Sequence, residues 1–139
     1  MVPLRVRSYF SLLRGTASPA DLCRAARSYG YESLALTDID NLYGLWDFLA
    51  ACRQEDLRAI IGAEIGENAF GAPVVCLVTD RNGYKNLCRL ITRRKMSQEM
   101  LSVKESLFEG LILLTSDAAL LGNLHEAGLS VAADVGCRP

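Results

Sequence analysis

The sequence predicts an α/β domain in which parallel strands alternate with helices, in an open or barrel-like sheet. Strand-length apolar runs alternate with helical patterns through the whole chain of 139 residues. Several of these runs are almost entirely apolar, which is typical of parallel strands covered on both faces. The length predicts a single domain over residues 1–139, with enough chain to bury a core.

The first half of the chain predicts three strands and two helices. Residues 2–7 alternate loosely between apolar and polar side chains and predict a strand. Ser18, followed by Pro19 and Asp21, has the pattern of a capped helix start, and Gly30 has the pattern of a helix end. A second strand is predicted over residues 33–37, a second helix after Gly44, and a third strand over residues 58–65.

The second half repeats the alternation. The pattern predicts a turn over residues 67–71, a strand over 73–79 and a helix that starts after Asp80. A weaker pattern over residues 94–107 predicts a short helix. A last strand over 111–115 leads into a helix capped by Ser116-Asp117 and closed by Gly128, and the tail after it shows no clear element.

Composition excludes several classes of protein. Half of the residues are apolar, 22% are charged and the net charge is -1, so the balance does not favour nucleic-acid or membrane partners. No apolar run approaches the roughly 20 residues that span a bilayer, and the first residues do not resemble a signal peptide. The five cysteines include no C-x-x-C pair, which predicts reduced, buried thiols in a cytoplasmic protein.

Charged residues follow the predicted strands at one end. Asp38 and Asp40 flank Ile39 after the second strand. Because the carboxyl ends of parallel strands meet at one edge of a sheet, we expect the charged residues of neighbouring strands to converge there with them. The charged residues of the first and third predicted strands are Arg5, Arg7 and Glu64.

Ordered motifs give the chain a family resemblance. It resembles the PHP (polymerase and histidinol phosphatase) domain, in the form at the N-terminus of bacterial C-family DNA polymerases of the DNA polymerase III alpha, error-prone type. The resemblance covers residues 4–94 well and extends weakly to 110–114. The motifs that carry it are Leu4-Arg5-Val6-Arg7-Ser8, Ser11-Leu12-Leu13-Arg14-Gly15, Ser18-Pro19-Ala20-Asp21-Leu22, Ala35-Leu36-Thr37-Asp38, Asp40-Asn41-Leu42-Tyr43-Gly44, Ile61-Gly62-Ala63-Glu64 and Asn82-Gly83-Tyr84-Lys85-Asn86-Leu87-Cys88-Arg89-Leu90.

The resemblance implies a distorted, TIM-like β/α barrel, incomplete in this chain, with up to three metal ions and phosphoester hydrolysis. The sequence departs from that pattern at the ligands. The family's opening His-x-His is Arg5-x-Arg7, and its next aspartate is Arg14. Ile39 replaces the histidine between the paired aspartates, and a further histidine is replaced around Pro73. Three carboxylates remain at ligand positions: Asp38, Asp40 and Glu64.

A guanidinium has no lone pair to give to a metal ion and remains protonated, so these replacements remove ligands and add positive charge. We therefore expect a degenerate site without a metal cofactor, in which the arginines pair with the carboxylates. One alternative is an anion-binding site formed by Arg5, Arg7 and Arg14. The other is a zinc- or manganese-dependent phosphoesterase, or a 3'-5' proofreading exonuclease, that uses the remaining carboxylates.

The predicted role is a structural scaffold in a polymerase for DNA replication or translesion synthesis, with the polymerase body or replication and repair proteins as partners. A stand-alone anion- or protein-binding module is the third alternative. An incomplete barrel leaves an unpaired strand edge, so we also expect a homo-oligomer or strands supplied from elsewhere. Four basic residues at helical spacing form a stripe on the third predicted helix: Arg81, Lys85, Arg89 and Arg93. This basic stripe is either a solvated face or a surface for indirect contact with DNA.

Four other residues have structural interpretations. His125 lies near the end of the last helix, where its charge suits the helix dipole, and we expect it at the surface rather than as a ligand. Trp46 is expected to pack against neighbouring barrel helices or a partner domain. Asn41 and Gly44 are expected to shape the loop after Asp40.

Overall fold

A computed structural model describes residues 1–66, 70–97 and 106–134 of the chain. The chain divides into two compact units, one of residues Met1–Ala63 and one that begins at Glu64. Within the described residues, no helix has both the length and the apolar character needed to cross a membrane.

The first unit is built from two helices and two strands. Helix α1, Pro19–Ser28, begins with the predicted capping box, in which Ser18 and Asp21 satisfy each other's backbone amides. Strand β1, Ser33–Leu36, is buried along its whole length. Helix α2, Leu45–Gln54, leads to strand β2, Arg58–Ile65, whose last two residues belong to the second unit.

Strands β1 and β2 are parallel, with Ser33 opposite Arg58 and Leu36 opposite Ile61. This confirms a β-α-β unit in the first half of the chain. Apolar side chains from both helices pack against β1, and Phe48 is fully buried among them. The core of this unit contains Cys23, Ala26, Leu34, Leu36, Phe48, Ala51, Cys52 and Leu57.

The predicted first strand is not a regular strand in the structure. Ala35 donates a hydrogen bond to the carbonyl of Pro3, and Thr37 donates to the carbonyl of Val6, so the segment does lie alongside β1. However, the Val6 amide donates to the side-chain oxygen of Thr37 instead of a backbone carbonyl, at 3.0 Å. Pro3 has no amide hydrogen to give. A regular ladder therefore does not form, and the prediction of a strand over residues 2–7 was wrong.

The described residues of the second unit form three more strands and two more helices. Asp80 caps α3 by accepting the Gly83 amide, and Asp117 caps α4 by accepting the Leu120 amide. A 3-10 turn, Ser106–Phe108, packs against α3. The elements are β3 (Val74–Val78), α3 (Arg81–Met96), β4 (Leu111–Thr115), α4 (Ala118–Glu126) and β5 (Val131–Ala133).

Strand β4 runs antiparallel to β3, with Val78 opposite Leu111. This corrects the expectation of an entirely parallel sheet. The physical reason is that β4 begins beside the end of β3, where Gly110 accepts hydrogen bonds from Thr79. A Cβ on Gly83 would lie 1.8 Å from the Gly110 carbonyl oxygen, so α3 approaches this turn backbone to backbone.

Strand β5 follows α4 and pairs with β4 in parallel, giving the order β3-β4-β5 within this unit. The sequence did not predict β5. Two predictions fall partly outside the described residues, namely the turn over 67–71 and the short helix over 94–107. Within the latter range, α3 continues to Met96 and the 3-10 turn occupies Ser106–Phe108.

Candidate functional site

The loop after β1 carries the aspartates that the sequence analysis selected. Thr37 is fully buried and Asp38 is only 2% exposed, although both side chains are polar. A buried carboxylate needs several hydrogen-bond donors to offset the loss of water. The contacts of Asp38 therefore determine what this loop can do chemically.

Two serines of the N-terminal segment hold the Asp38 carboxylate. Its Oδ1 accepts the Ser8 amide at 2.8 Å and the Ser11 hydroxyl at 2.6 Å. Its Oδ2 accepts the Ser8 hydroxyl at 2.7 Å. Both serines are buried, with 0% and 2% exposure. Three short hydrogen bonds therefore offset the burial of this carboxylate.

The sequence analysis expected the carboxylates to pair with arginines. The recorded donors to Asp38 are serine hydroxyls and a backbone amide, two on Oδ1 and one on Oδ2. These donors occupy both lone pairs of Oδ1. The pairing of the arginines with carboxylates remains a prediction.

The rest of the loop is held in a specific shape. The Ile39 amide donates to the Ser11 hydroxyl, so Ser11 bridges two consecutive residues of the loop. Asp40 adopts a left-handed backbone conformation with φ of 51°, which aspartate tolerates better than most residues. Asn41 is buried, and its amide nitrogen donates to the carbonyls of Phe10 and Ile39. The expected role of Asn41 in shaping the loop is confirmed.

Aromatic packing closes the loop on its other side. The Phe10 ring lies 4.6 Å from that of Tyr9 and meets Tyr43 edge-on at 6.4 Å. A Cβ on Gly44 would lie 2.8 Å from the Phe10 ring, so glycine lets the ring approach the start of α2. This contact confirms the structural interpretation of Gly44.

The three arginines differ in exposure. Arg5 and Arg14 are exposed, whereas Arg7 is half-buried. Arg7 directly precedes Ser8, and Arg14 lies in the turn in which the Ser11 carbonyl accepts the amides of Arg14 and Gly15. Charge pairing of these arginines with Asp40 or Glu64, and anion binding by them, remain predictions.

Glu64 belongs to the second unit and lies near the end of β2. It is buried, with 4% exposure. A buried glutamate is unusual unless its charge is compensated, which agrees with the selection of this position from the sequence.

Several side chains of the first unit differ in donor chemistry from the metal ligands that the family resemblance implies. Zinc and manganese sites need several imidazole or carboxylate ligands with free lone pairs. Asp38 is largely committed to serine donors, the side chain of Ile39 cannot ligate, and guanidinium cannot replace imidazole. Among residues 1–66, 70–97 and 106–134, no group of three or more His, Cys, Asp or Glu side chains is arranged to hold a metal ion.

The basic stripe on α3 is exposed, as predicted. Two adjoining grooves lie where this helix meets the 3-10 turn, and both are lined by Arg89 and Ser106. The larger groove, about 720 Å³, also contains Cys88 and Arg93. The smaller groove, about 340 Å³, is mostly polar and is lined by Asn82, Lys85, Asn86, Arg89, Ser106 and Glu109.

Two single residues complete the comparison with the sequence. His125 is exposed in the last turn of α4, which confirms the expectation of a surface residue. Trp46 is 76% exposed on α2, so the prediction that it packs against neighbouring helices of this chain was wrong. Its packing against a partner domain remains a prediction.

Sequence reasoning missed Ser8 and Ser11 as the residues that hold Asp38. A signal was present, because both serines closely follow the predicted first strand, residues 2–7, and an aspartate at a buried strand end requires donors. The serines are separated from Asp38 by 30 and 27 positions in the chain, so local patterns do not reveal the contact.

Comparison with protein families now identifies the fold. The model of the PHP domain matches residues 3–134. The chain belongs to the PHP domain family. This confirms the resemblance drawn from the motifs of the first half of the chain.

The PHP chain is homologous to parts of bacterial DNA polymerases. It is 42% identical over 94 residues to an error-prone DNA polymerase of Anaeromyxobacter sp. (strain K), covering 65% of this chain and 8% of the relative. It is 34% identical over 137 residues to the DNA polymerase III subunit alpha of Treponema pallidum, covering 83% of this chain and 12% of that relative. The chain thus spans about a tenth of the length of these relatives.

Solved structures agree with the fold. An amidohydrolase from Chromobacterium violaceum, with bound sulfate and no metal, has a TM-score of 0.66 at 14% identity, covering 94% of this chain and 75% of that one. A protein from Bifidobacterium adolescentis, proposed to be a metal-dependent phosphoesterase, has a TM-score of 0.63 at 11% identity with the same coverage. These likenesses support a partial TIM-like barrel of the PHP type.

Proposed function

We propose that this PHP domain is a structural scaffold of a bacterial C-family DNA polymerase of the error-prone type and does not hydrolyse phosphoesters through bound metal. The homology to error-prone polymerases and to DNA polymerase III alpha supports the polymerase context. We place it in the cytoplasm with its polymerase, whose body is the proposed partner. DNA replication or translesion synthesis is the activity of that polymerase and not of this chain.

The hydrogen bonding of Asp38 carries the proposal. In a metal site this carboxylate would direct its oxygens to the ions, whereas here Ser8 and Ser11 direct three donors at it. The same three bonds join the N-terminal segment to the loop after β1. The carboxylate thus contributes to assembly of the unit, which is what a scaffold requires.

Metal titration tests the proposal. Calorimetric titration with Mn²⁺ and Zn²⁺ should detect no saturable uptake, and the chain should not cleave a p-nitrophenyl phosphodiester with either ion. A variant that combines Arg5→His, Arg7→His, Arg14→Asp and Ile39→His restores the ligand types that the family resemblance implies. We expect this variant to take up metal under the same conditions.

Three results would contradict the proposal. Saturable metal uptake by the unmodified chain that is lost in Asp40→Asn would support the metal-dependent phosphoesterase or proofreading alternative. Sulfate binding that is lost when Arg5 and Arg7 are changed to Gln would support the anion-binding alternative. A gene that encodes the chain away from any polymerase would favour a stand-alone module.

The α3 grooves support a second candidate function, contact with a DNA backbone. Lys85 and Arg89 line the smaller groove together with two asparagines, and Arg93 lines the larger one. Cations combined with amide donors suit phosphate oxygens. The net charge of -1 gives the chain no general attraction to DNA, so any such contact depends on this surface.

Salt-dependent DNA binding tests this candidate. A Lys85→Glu, Arg89→Glu, Arg93→Glu variant should lose most of the affinity for a short duplex, because phosphate contacts release counterions. Arg53→Glu, on the exposed surface of α2, is the matched control and should bind as the unmodified chain does. Equal binding by all three proteins would identify the stripe as a solvated face.

A further inference from the structure

Two cysteines lie in contact in the core of the first unit. The sulfur of Cys23 on α1 is 3.6 Å from the sulfur of Cys52 on α2. Both residues are buried, with 0% and 1% exposure, in the apolar cluster between the helices and β1. Twenty-nine positions separate them in the chain, so the fold alone brings the thiols together.

The other described cysteines lack this arrangement. Cys76 is fully buried on β3, where burial raises the pKa of its thiol to about 12. Cys88 is half-buried on α3 and lines a groove. Neither has a second cysteine recorded beside it in the described part of the chain, so Cys23 and Cys52 are the one thiol pair found there.

We propose that Cys23 and Cys52 form a redox-active dithiol that a peroxide converts to an intramolecular disulfide. A disulfide bond is about 2.0 Å long, so the two sulfurs need to approach by only about 1.6 Å. The contact is between side chains of two helices that pack against each other. Both cysteines are reduced in the structure.

The reaction balances with hydrogen peroxide as the oxidant. The Cys23 thiolate attacks one peroxide oxygen, the O–O bond breaks, and the departing hydroxide takes a proton to become water. The Cys52 sulfur then attacks the sulfur of the resulting sulfenic acid. An S–S bond forms, the S–O bond breaks, and a second water leaves with the thiol proton. Two thiols and one peroxide thus give one disulfide and two waters.

The two thiols share a hydrogen bond in which either sulfur can be the donor. With Cys52 as the donor, this bond lowers the pKa of Cys23 and raises that of Cys52, while burial raises the pKa of both thiols. Because the thiolate is the nucleophile, the sulfur that accepts the bond reacts first and its donor resolves the intermediate, which with this donor is the order Cys23 and then Cys52.

The cross-link would join the two helices on either side of the site loop. Helix α1 follows the serine-bearing segment, and α2 follows the loop that carries Asp38. Oxidation would therefore restrain the elements that position the Ser8–Asp38–Ser11 contacts. Because both sulfurs are buried, oxidation requires a transient opening of the helix pair and is expected to be slow.

Oxidation of the full chain with hydrogen peroxide, followed by alkylation under denaturing conditions and peptide mapping, tests the proposal. We expect a monomer that has lost the mass of two hydrogen atoms, with a single cross-linked peptide joining Cys23 and Cys52. Dithiothreitol should restore the thiols. The melting temperature of the oxidised form should rise by several degrees, because the bond closes a loop in the unfolded chain.

Variants separate this pair from the other cysteines. Cys88→Ser is the matched control and should still form the cross-link, whereas Cys52→Ala should stop at an alkylation-protected, dithiothreitol-reversible Cys23 sulfenic acid. The peptide map of the unmodified chain decides the question even if a core variant does not fold. The proposal is overturned if the disulfide involves another pair, or if Cys23 and Cys52 remain alkylatable under conditions that oxidise Cys88.

Discussion

Aspartates follow strands in both units, but their carboxylates accept hydrogen bonds from different parts of the chain. In the second unit, Asp80 and Asp117 come just after β3 and β4, are exposed, and accept the amides of Gly83 and Leu120 at 2.8 and 2.7 Å. In the first unit, Asp38 follows β1, is buried, and accepts donors from a distant segment. Helix α2 begins at Gly44 without a side-chain cap.

The difference follows from the length of the connection. Strands β3 and β4 are each followed by a helix after two intervening residues, so the aspartate there is already at the N-cap position. Eight residues separate β1 from α2, so Asp38 lies far from the helix start. In a longer loop the carboxylate at the strand end does not cap the next helix and can bind other groups. In this chain it accepts hydrogen bonds from two serines.

Removal of the Asp38 carboxylate should have the largest effect. Asp38→Ala leaves the Ser8 and Ser11 donors buried without an acceptor, and we expect the free energy of unfolding to fall by about 3 kcal/mol. Asp117→Ala removes only a helix cap and should cost about 1 kcal/mol. Urea denaturation measures both. Equal losses in the two variants would show that Asp38 is no more than a local turn residue.

A side chain at Gly15 should displace Ser8 and so weaken the hydrogen bonds between Ser8 and Asp38. A Cβ on Gly15 would lie 2.0 Å from the Ser8 carbonyl oxygen, so Gly15→Ala must displace Ser8, at a cost of about 2 kcal/mol. Gly122→Ala on α4 is the control, because its Cβ meets nothing within 4 Å, and it should stabilise the chain by about 0.5 kcal/mol. Thermal denaturation of both variants checks the prediction, and an unchanged Gly15→Ala would contradict the close approach.

The Ser11 hydroxyl should show coupling to Asp38. Ser11→Ala removes a bond to the carboxylate and an acceptor for the Ile39 amide, and should cost about 1.5 kcal/mol. In an Asp38→Ala background the same change should cost less, since one of its two bonds is already absent. A double-mutant cycle by urea denaturation measures the difference. Additive losses would mean that the serine acts independently of the carboxylate.

The smallest effect should come from the exposed carboxylate of the α1 capping box. A hydrogen bond from Ser18, assisted by Arg24, lowers the pKa of Asp21 below its ordinary value of 3.8. A folded-state pKa below the unfolded one gives stability that is present above pH 3.8 and is lost as pH falls through the folded-state value. The difference in melting temperature between the unmodified chain and Asp21→Asn should therefore shrink in acid. A difference that stays constant down to pH about 2 would contradict this account.

Local patterns predicted most helices and strands because capping residues and apolar runs act over a few positions. Ser18 with Asp21 marks the start of α1, and Asp117 marks that of α4. Strand direction has no such local mark, which is why the antiparallel β4 was missed. Strand β5 has three residues, two of them exposed, and it is held by backbone bonds to β4 rather than by an apolar run.

The sequence predicted the position of the site residue Asp38 but not the residues that contact it. Strand-end reasoning selected Asp38, and its burial shows why that position matters. The identity of its partners depends on how the N-terminal segment lies beside β1. In that segment, the Val6 amide donates to the side chain of Thr37, and a regular ladder of backbone hydrogen bonds does not form. That displacement is a tertiary effect, and no pattern within either segment encodes it.

The outward position of Trp46 has a practical consequence for spectroscopy. It is the only tryptophan in the sequence, and its side chain is 76% exposed on α2. Its emission is therefore already that of a hydrated indole in the folded state, so unfolding should barely shift its wavelength. Any macromolecule that covers this side of α2 would instead shift the emission to the blue. The fluorescence of Trp46 should therefore report association at this surface, while its emission wavelength should change little on unfolding.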